Sequence, residues 1–171
     1  MRPRHLPAAA LAALLLALAP VPVDVPAEVP GQAPPSPCLL GTKAALAAGK
    51  SVYDGQGDMT EEELLRFTRH LPEFRAYMST SGETAHPTTR NGRPDFTWSE
   101  GAAQWARGRG WEPARFFVVM GRTAAAIVLI AEGDAVRKKY RDMPEVSEQD
   151  RRLVTKHLGE VLKAGADPGS R

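Results

Sequence analysis

Few side chains in this sequence are of a type that does chemistry, and their spacing assembles no known kind of site. His5 falls in the N-terminal segment ahead of an apolar run, while His70, His86 and His157 are widely separated. None forms the i, i+4 pair with a helical glutamate that lets two imidazoles share one face around zinc. Cys38 stands alone, which excludes an internal disulfide and any Cys-rich zinc or iron–sulfur site. Met59, Met78, Met120 and Met143 are dispersed, as suits gap-filling in a core and not a soft copper site. There is no G-x-S-x-G elbow, and Gly108-Arg109-Gly110 is too short to cradle a phosphate. Only Glu83, His86 and Asp95, in one polar stretch, offer an acid and a base close together. The sequence therefore points away from an enzyme and assigns no catalytic residue, metal or cofactor, with an enzyme built on those three residues kept as a third reading.

Two features point to binding. Phe96, Trp98, Trp105, Trp111, Phe116 and Phe117 lie close together and dominate the aromatic content. Such a group either fills a junction between helices or lines a groove for a peptide, glycan or apolar ligand. The second feature is Arg122, inside the run Phe116–Ala131, which is otherwise apolar but for Thr123. A buried guanidinium keeps its charge and requires a partner. Glu62, Glu63, Glu73 and Glu100 are the expected carboxylates, and an anionic ligand is the alternative. Trp98, Trp105, Trp111 and Arg122 are thus the candidate ligand-binding residues.

Charge narrows the partner. With 22 Lys+Arg against 20 Asp+Glu, the net charge of +2 is too balanced for binding nucleic acid by phosphate neutralisation. A local basic run, Arg137-Lys138-Lys139-Tyr140-Arg141, suits contact with an anionic membrane surface. Its place at an expected helix C-terminus means that dipole compensation explains much of it.

The N-terminus reads as an export signal. Arg2 and Arg4 precede the apolar run Ala8–Ala19, bracketed by Pro7 and Pro20. Such a run spans about 18 Å as a helix, against roughly 30 Å of bilayer hydrocarbon. Cleavage is expected before Glu28, making residues 1–27 the signal peptide. Residues 28–37 continue a proline-rich linker, with Pro30, Pro34, Pro35 and Pro37. Ser36-Pro37 is a poor context for lipid attachment at Cys38. A globular domain is expected over 38–166 and a disordered tail over 167–171.

The elements that must position these residues read as helical. Leu39–Ala48 is Ala/Leu-rich and stops at Gly49. Thr60 with Glu63 forms a capping box for a helix bearing Leu64, Leu65, Phe67, Thr68 and Leu71, which Pro72 breaks or kinks. Residues 79–95 read as a long loop containing Gly82, Pro87, Asn91-Gly92 and Pro94. Trp98, Ala102 and Trp105 recur on one helical face. A central apolar helix starts at Pro113 and extends to about residue 140. Ser147 with Asp150 opens a last helix that Gly165 caps. The fold class is all-α: a small bundle of five or six helices around the helix at about 113–140.

Met59-Thr60-Glu61-Glu62 and Val146-Ser147-Glu148-Gln149 are loosely similar to the Leu-Thr-x-x-Gln repeats of periplasmic Spy-like stress chaperones. Those two short pieces are the whole likeness, capping chemistry accounts for both, and no family is assigned on them. The sequence reads as an exported protein of the bacterial envelope, periplasmic or secreted, that binds an unknown protein. The alternatives are a carrier of a small apolar or anionic ligand and a chaperone-like role.

Overall fold

The computed structural model describes residues 50–140 and 142–166. The expected signal peptide, the linker, the Leu39–Ala48 helix, Cys38, Arg141 and the tail lie outside the described residues. In chain order the helices are α1 (Glu61–Ser81), α2 (Glu100–Arg107), α3 (Pro113–Glu132), α4 (Glu148–Lys156) and α5 (Leu158–Gly165). An antiparallel hairpin of β1 (Ala85–Arg90) and β2 (Arg93–Trp98) joins α1 to α2, and a 3-10 turn, Asp134–Lys138, follows α3. The protein is mostly helical with a small two-stranded sheet, which corrects the all-α expectation.

Helix α3 is the element against which α1, α2, α4 and β2 pack. Its start is built locally: the Glu112 carboxylate accepts from the N–H groups of Ala114 and Arg115, and Pro113 occupies the first turn. Nearly every residue from Pro113 to Leu129 is buried. By length and composition α3 could cross a bilayer, but here protein covers it. It ends at Glu132 and does not run to residue 140. Gly133 adopts φ +77°, outside the helical range, and the 3-10 turn begins beyond it.

Helix α1 is continuous through Pro72, against the expected break. Leu64, Phe67, Leu71 and Phe74 form one buried stripe spanning the proline, and burying that stripe outweighs one lost backbone bond. Pro72 itself is exposed, at the helix surface. The capping box is present, with Thr60 Oγ1 accepting from Glu63 N at 3.1 Å and Glu63 Oε2 accepting from Thr60 N at 2.9 Å. The last expected helix is two, α4 and α5, divided at His157 (φ −107°). Ser147 caps α4 as expected, while Ala166, not Gly165, follows the last turn of α5.

The hairpin replaces the long loop expected at 79–95. Asn91 (φ +51°) and Gly92 (φ +72°) make a two-residue turn whose hand matches the twist of the strands. The register pairs Arg90 with Arg93, Thr88 with Asp95 and Pro87 with Phe96. Counting outward from the turn, Arg90/Arg93 and Thr88/Asp95 are hydrogen-bonded pairs. Pro94, opposite Thr89, and Pro87, opposite Phe96, therefore fall at alternate, non-hydrogen-bonded positions, where the ladder needs no donor. Their backbones face the two outer edges, and a proline there removes an N–H that another strand could pair with. Trp98 ends β2 and does not share a helical face with Trp105. It stacks instead on Phe117, with centroids 4.7 Å apart.

Candidate functional site

The aromatic residues singled out by sequence are brought together, mainly as packing. Phe116 and Phe117 are fully buried, Trp105, Trp111 and Phe96 nearly so, and Trp98 is half-buried. Phe116 lies within 6 Å of the rings of Phe67, Phe74, Trp105, Trp111 and Phe117. Two shallow grooves at the surface of the described residues are lined by other side chains: Met59, Glu61, Arg152 and Leu153 with their neighbours in one, Arg69, Pro72, Glu160 and Lys163 in the other.

The acid–base candidates do not converge. The buried Asp95 accepts from Val52 N at 2.8 Å and pairs with Arg90 Nε at 2.6 Å. Glu83 places its carboxylate against Gly101 in the first turn of α2, where a Cβ would collide with it. His86 Nδ1 lies 3.2 Å from the carbonyl of Pro87. Among the described residues no cluster of His, Cys, Asp and Glu could hold a metal.

Arg122 is buried and has a carboxylate, but from α4: its Nη1 is 3.4 Å from Asp150 Oδ2. The same guanidinium donates to the carbonyls of Gly57, at 2.8 Å, and Gln56, at 3.2 Å. None of Glu62, Glu63, Glu73 and Glu100, the expected partners, takes this role. Glu63 pairs with Arg115, one face-repeat earlier on α3, at 2.7 Å. Those hydrogen bonds hold the Glu63 carboxyl down to about 2. Asp150 is shifted the other way, because its burial outweighs the donors of Met59 and Arg122. The two arginines thus clamp the irregular segment 56–58 onto α3.

Beside this clamp, the hydroxyl of Tyr53 rests against Gly121, where a Cβ would strike it. The hydroxyl is buried without a hydrogen-bond partner among the described residues, and burial pushes the phenol well above its ordinary value. Tyr53→Phe is therefore expected to raise stability by about 1 kcal/mol, since an unpaired buried hydroxyl costs more than it returns. Urea denaturation checks it; a loss of similar size would show that the hydroxyl is bonded.

A second constellation surrounds His70, on the face where α1 meets the α2–α3 loop. Arg66 lies over the ring of Trp111 at 3.8 Å, and Arg109 over Trp105 at 3.9 Å. His70 stands between the two indoles, edge-on to both. Trp111 Nε1 donates to His70 Nδ1 at 3.0 Å. Arg109 also pairs with Glu73 at 3.0 Å, while Arg69 is exposed with no ion pair among the described residues. Helical spacing places Arg66, Arg69, His70 and Glu73 on one side of α1. Sequence reasoning found both tryptophans but missed the arginines and His70. An i, i+3, i+4 basic run on α1 was the available signal. The basic run at 137–139 forms the C-terminal end of the 3-10 turn and not that of α3, with Lys138 and Lys139 exposed. No protein-family model, no curated protein and no solved structure matches this chain.

Proposed function

We propose that this is an exported protein of the bacterial envelope that works as a non-enzymatic interaction module. Its contact surface is the arginine face of α1 and the α2–α3 loop. One observation carries the reading: two guanidiniums laid on indoles, with Arg69 beside them, exposed and without an ion pair among the described residues. Arginine and tryptophan are the side chains that dominate binding hot spots. Stacking holds Arg66 and Arg109 in place, so little side-chain entropy is lost when a partner arrives. The carrier alternative, built on Trp98, Trp105, Trp111 and Arg122, has less support, because those rings pack against core phenylalanines and Arg122 is paired with Asp150.

Two measurements test the proposal. A photo-crosslinking residue at Arg69 in the full chain should give one discrete adduct in envelope extract, which Arg66→Ala with Arg109→Ala weakens. The absence of any adduct would overturn the proposed face, and a continuum of adducts would favour the chaperone-like alternative. N-terminal sequencing of the envelope form should begin after Ala19, most simply at Glu28. An intact Met1 on cytoplasmic protein would overturn export.

Membrane-surface contact is the second reading, since Lys138 and Lys139 are exposed with no carboxylate paired to them among the described residues. Sedimentation with anionic vesicles that Lys138→Glu abolishes would support it.

A further inference from the structure

We propose that His70 is a pH-operated latch: its neutral imidazole accepts the indole N–H of Trp111, and protonation releases that tryptophan from α1. Indole nitrogen can only donate. The 3.0 Å contact between Trp111 Nε1 and His70 Nδ1 therefore exists only while Nδ1 carries a lone pair. An imidazolium has a proton on both nitrogens, so below its titration two donors would face each other. Trp111 is 3% exposed, which leaves its N–H no easy access to water where it stands. The indole must move or remain unpaired, and either outcome loosens the corner.

The charged groups around the ring set the direction of the switch. From α1 come Arg66, Arg69 and Glu73, and from the α2–α3 loop comes Arg109. Three guanidiniums oppose one carboxylate, and that carboxylate is already held by Arg109. Burial, chiefly, and the arginines hold the His70 pKa below the ordinary histidine value, against the pull of Glu73. The imidazole is thus neutral near neutrality, and the latch opens only in acid. For the sign, the unfolded chain binds the proton first as pH falls. The stability this group supplies is complete above the ordinary histidine value and is lost as pH falls from there through the lowered one.

Trp111 is where the opening is transmitted. It immediately precedes Glu112, the cap of α3, and Arg66 is laid upon its ring. Releasing the indole frees Arg66 and adds a positive charge at His70, so the face changes both shape and charge. This consequence rests on the proposed contact surface; the latch itself does not.

Nuclear magnetic resonance of the ¹⁵N-labelled full chain tests it. The Trp111 indole signal is followed from about pH 8 to about pH 5, the range of histidine titration, together with the His70 ring. The Trp111 indole should shift with the midpoint of His70. Its hydrogen exchange, corrected for intrinsic pH dependence, should accelerate roughly tenfold, in keeping with one buried hydrogen bond lost. The Trp98 indole serves as the internal control and should not follow. His70→Asn places a non-titrating acceptor near the Nδ1 position and should remove the transition. A Trp111 indole that stays unchanged while the His70 ring titrates would overturn the latch, with or without a folded variant. So would a transition that survives in a folded His70→Asn protein. Loss of the Arg69 crosslink with the latch intact would count only against the contact surface.

Discussion

Phe116→Ala is expected to lower the unfolding free energy by about 3–5 kcal/mol, the range for a fully buried phenylalanine. The side chain is 0% exposed and sits where α1, α2 and the α2–α3 loop converge on α3. Its ring meets Phe74 at 5.1 Å, Trp111 at 5.5 Å and Phe117 at 5.3 Å in edge-on geometry, with Phe67 and Trp105 tilted beside it. Each favourable edge contact adds roughly 0.5–1.5 kcal/mol beyond area burial. The neighbours are themselves large and ring-shaped, so they cannot easily collapse into the space left. That pushes the cost towards the upper end of the range, a large part of a typical 5–15 kcal/mol stability. Urea denaturation with matched m-values measures it, and Phe116→Leu, which keeps much of the volume, should lose less. A loss under about 1 kcal/mol would show that the rings repack and that this is not the core.

Asp150→Ala should be nearly as costly, at about 3–5 kcal/mol, because it breaks a buried pair from one side. Asp150 is 0% exposed and accepts from Met59 N at 2.7 Å as well as facing Arg122. Its removal leaves a backbone N–H unpaired and a buried guanidinium held only by two carbonyls, those of Gly57 and Gln56. The double variant Arg122→Leu with Asp150→Leu discriminates a structural pair from a binding site. Replacing a whole buried pair by apolar groups is often neutral or stabilising, so the double variant should melt closer to the parent than Asp150→Ala does. If instead Asp150→Ala leaves the thermal midpoint unchanged, Arg122 is open to water and returns as a residue for an anionic ligand.

The His70 latch differs from both in scale. It moves one hydrogen bond and one charge, and its test reads a single indole instead of global unfolding.

What the amino-acid sequence alone determined is what depends on neighbours in the chain. The Thr60–Glu63 box, the Ser147 cap and the start of α3 at Pro113 were legible because each is closed within a single turn. The burial of α3 was legible from its apolar run, and so was the need of Arg122 for a carboxylate. The hairpin was not read, because two prolines and a polar composition resemble a loop until the register shows them at positions that need no donor. Pro72 misled in the same way, since its local cost is set against a stripe buried along the whole of α1. Gly133 stops α3 where composition alone would have let it continue. Only the tertiary structure chose partners: Asp150 and not a glutamate for Arg122, His70 for Trp111, and guanidiniums over both indoles. The physical reason is that side-chain type declares what a group requires, whereas which group meets it depends on segments far apart in the chain folding back to within a few ångströms.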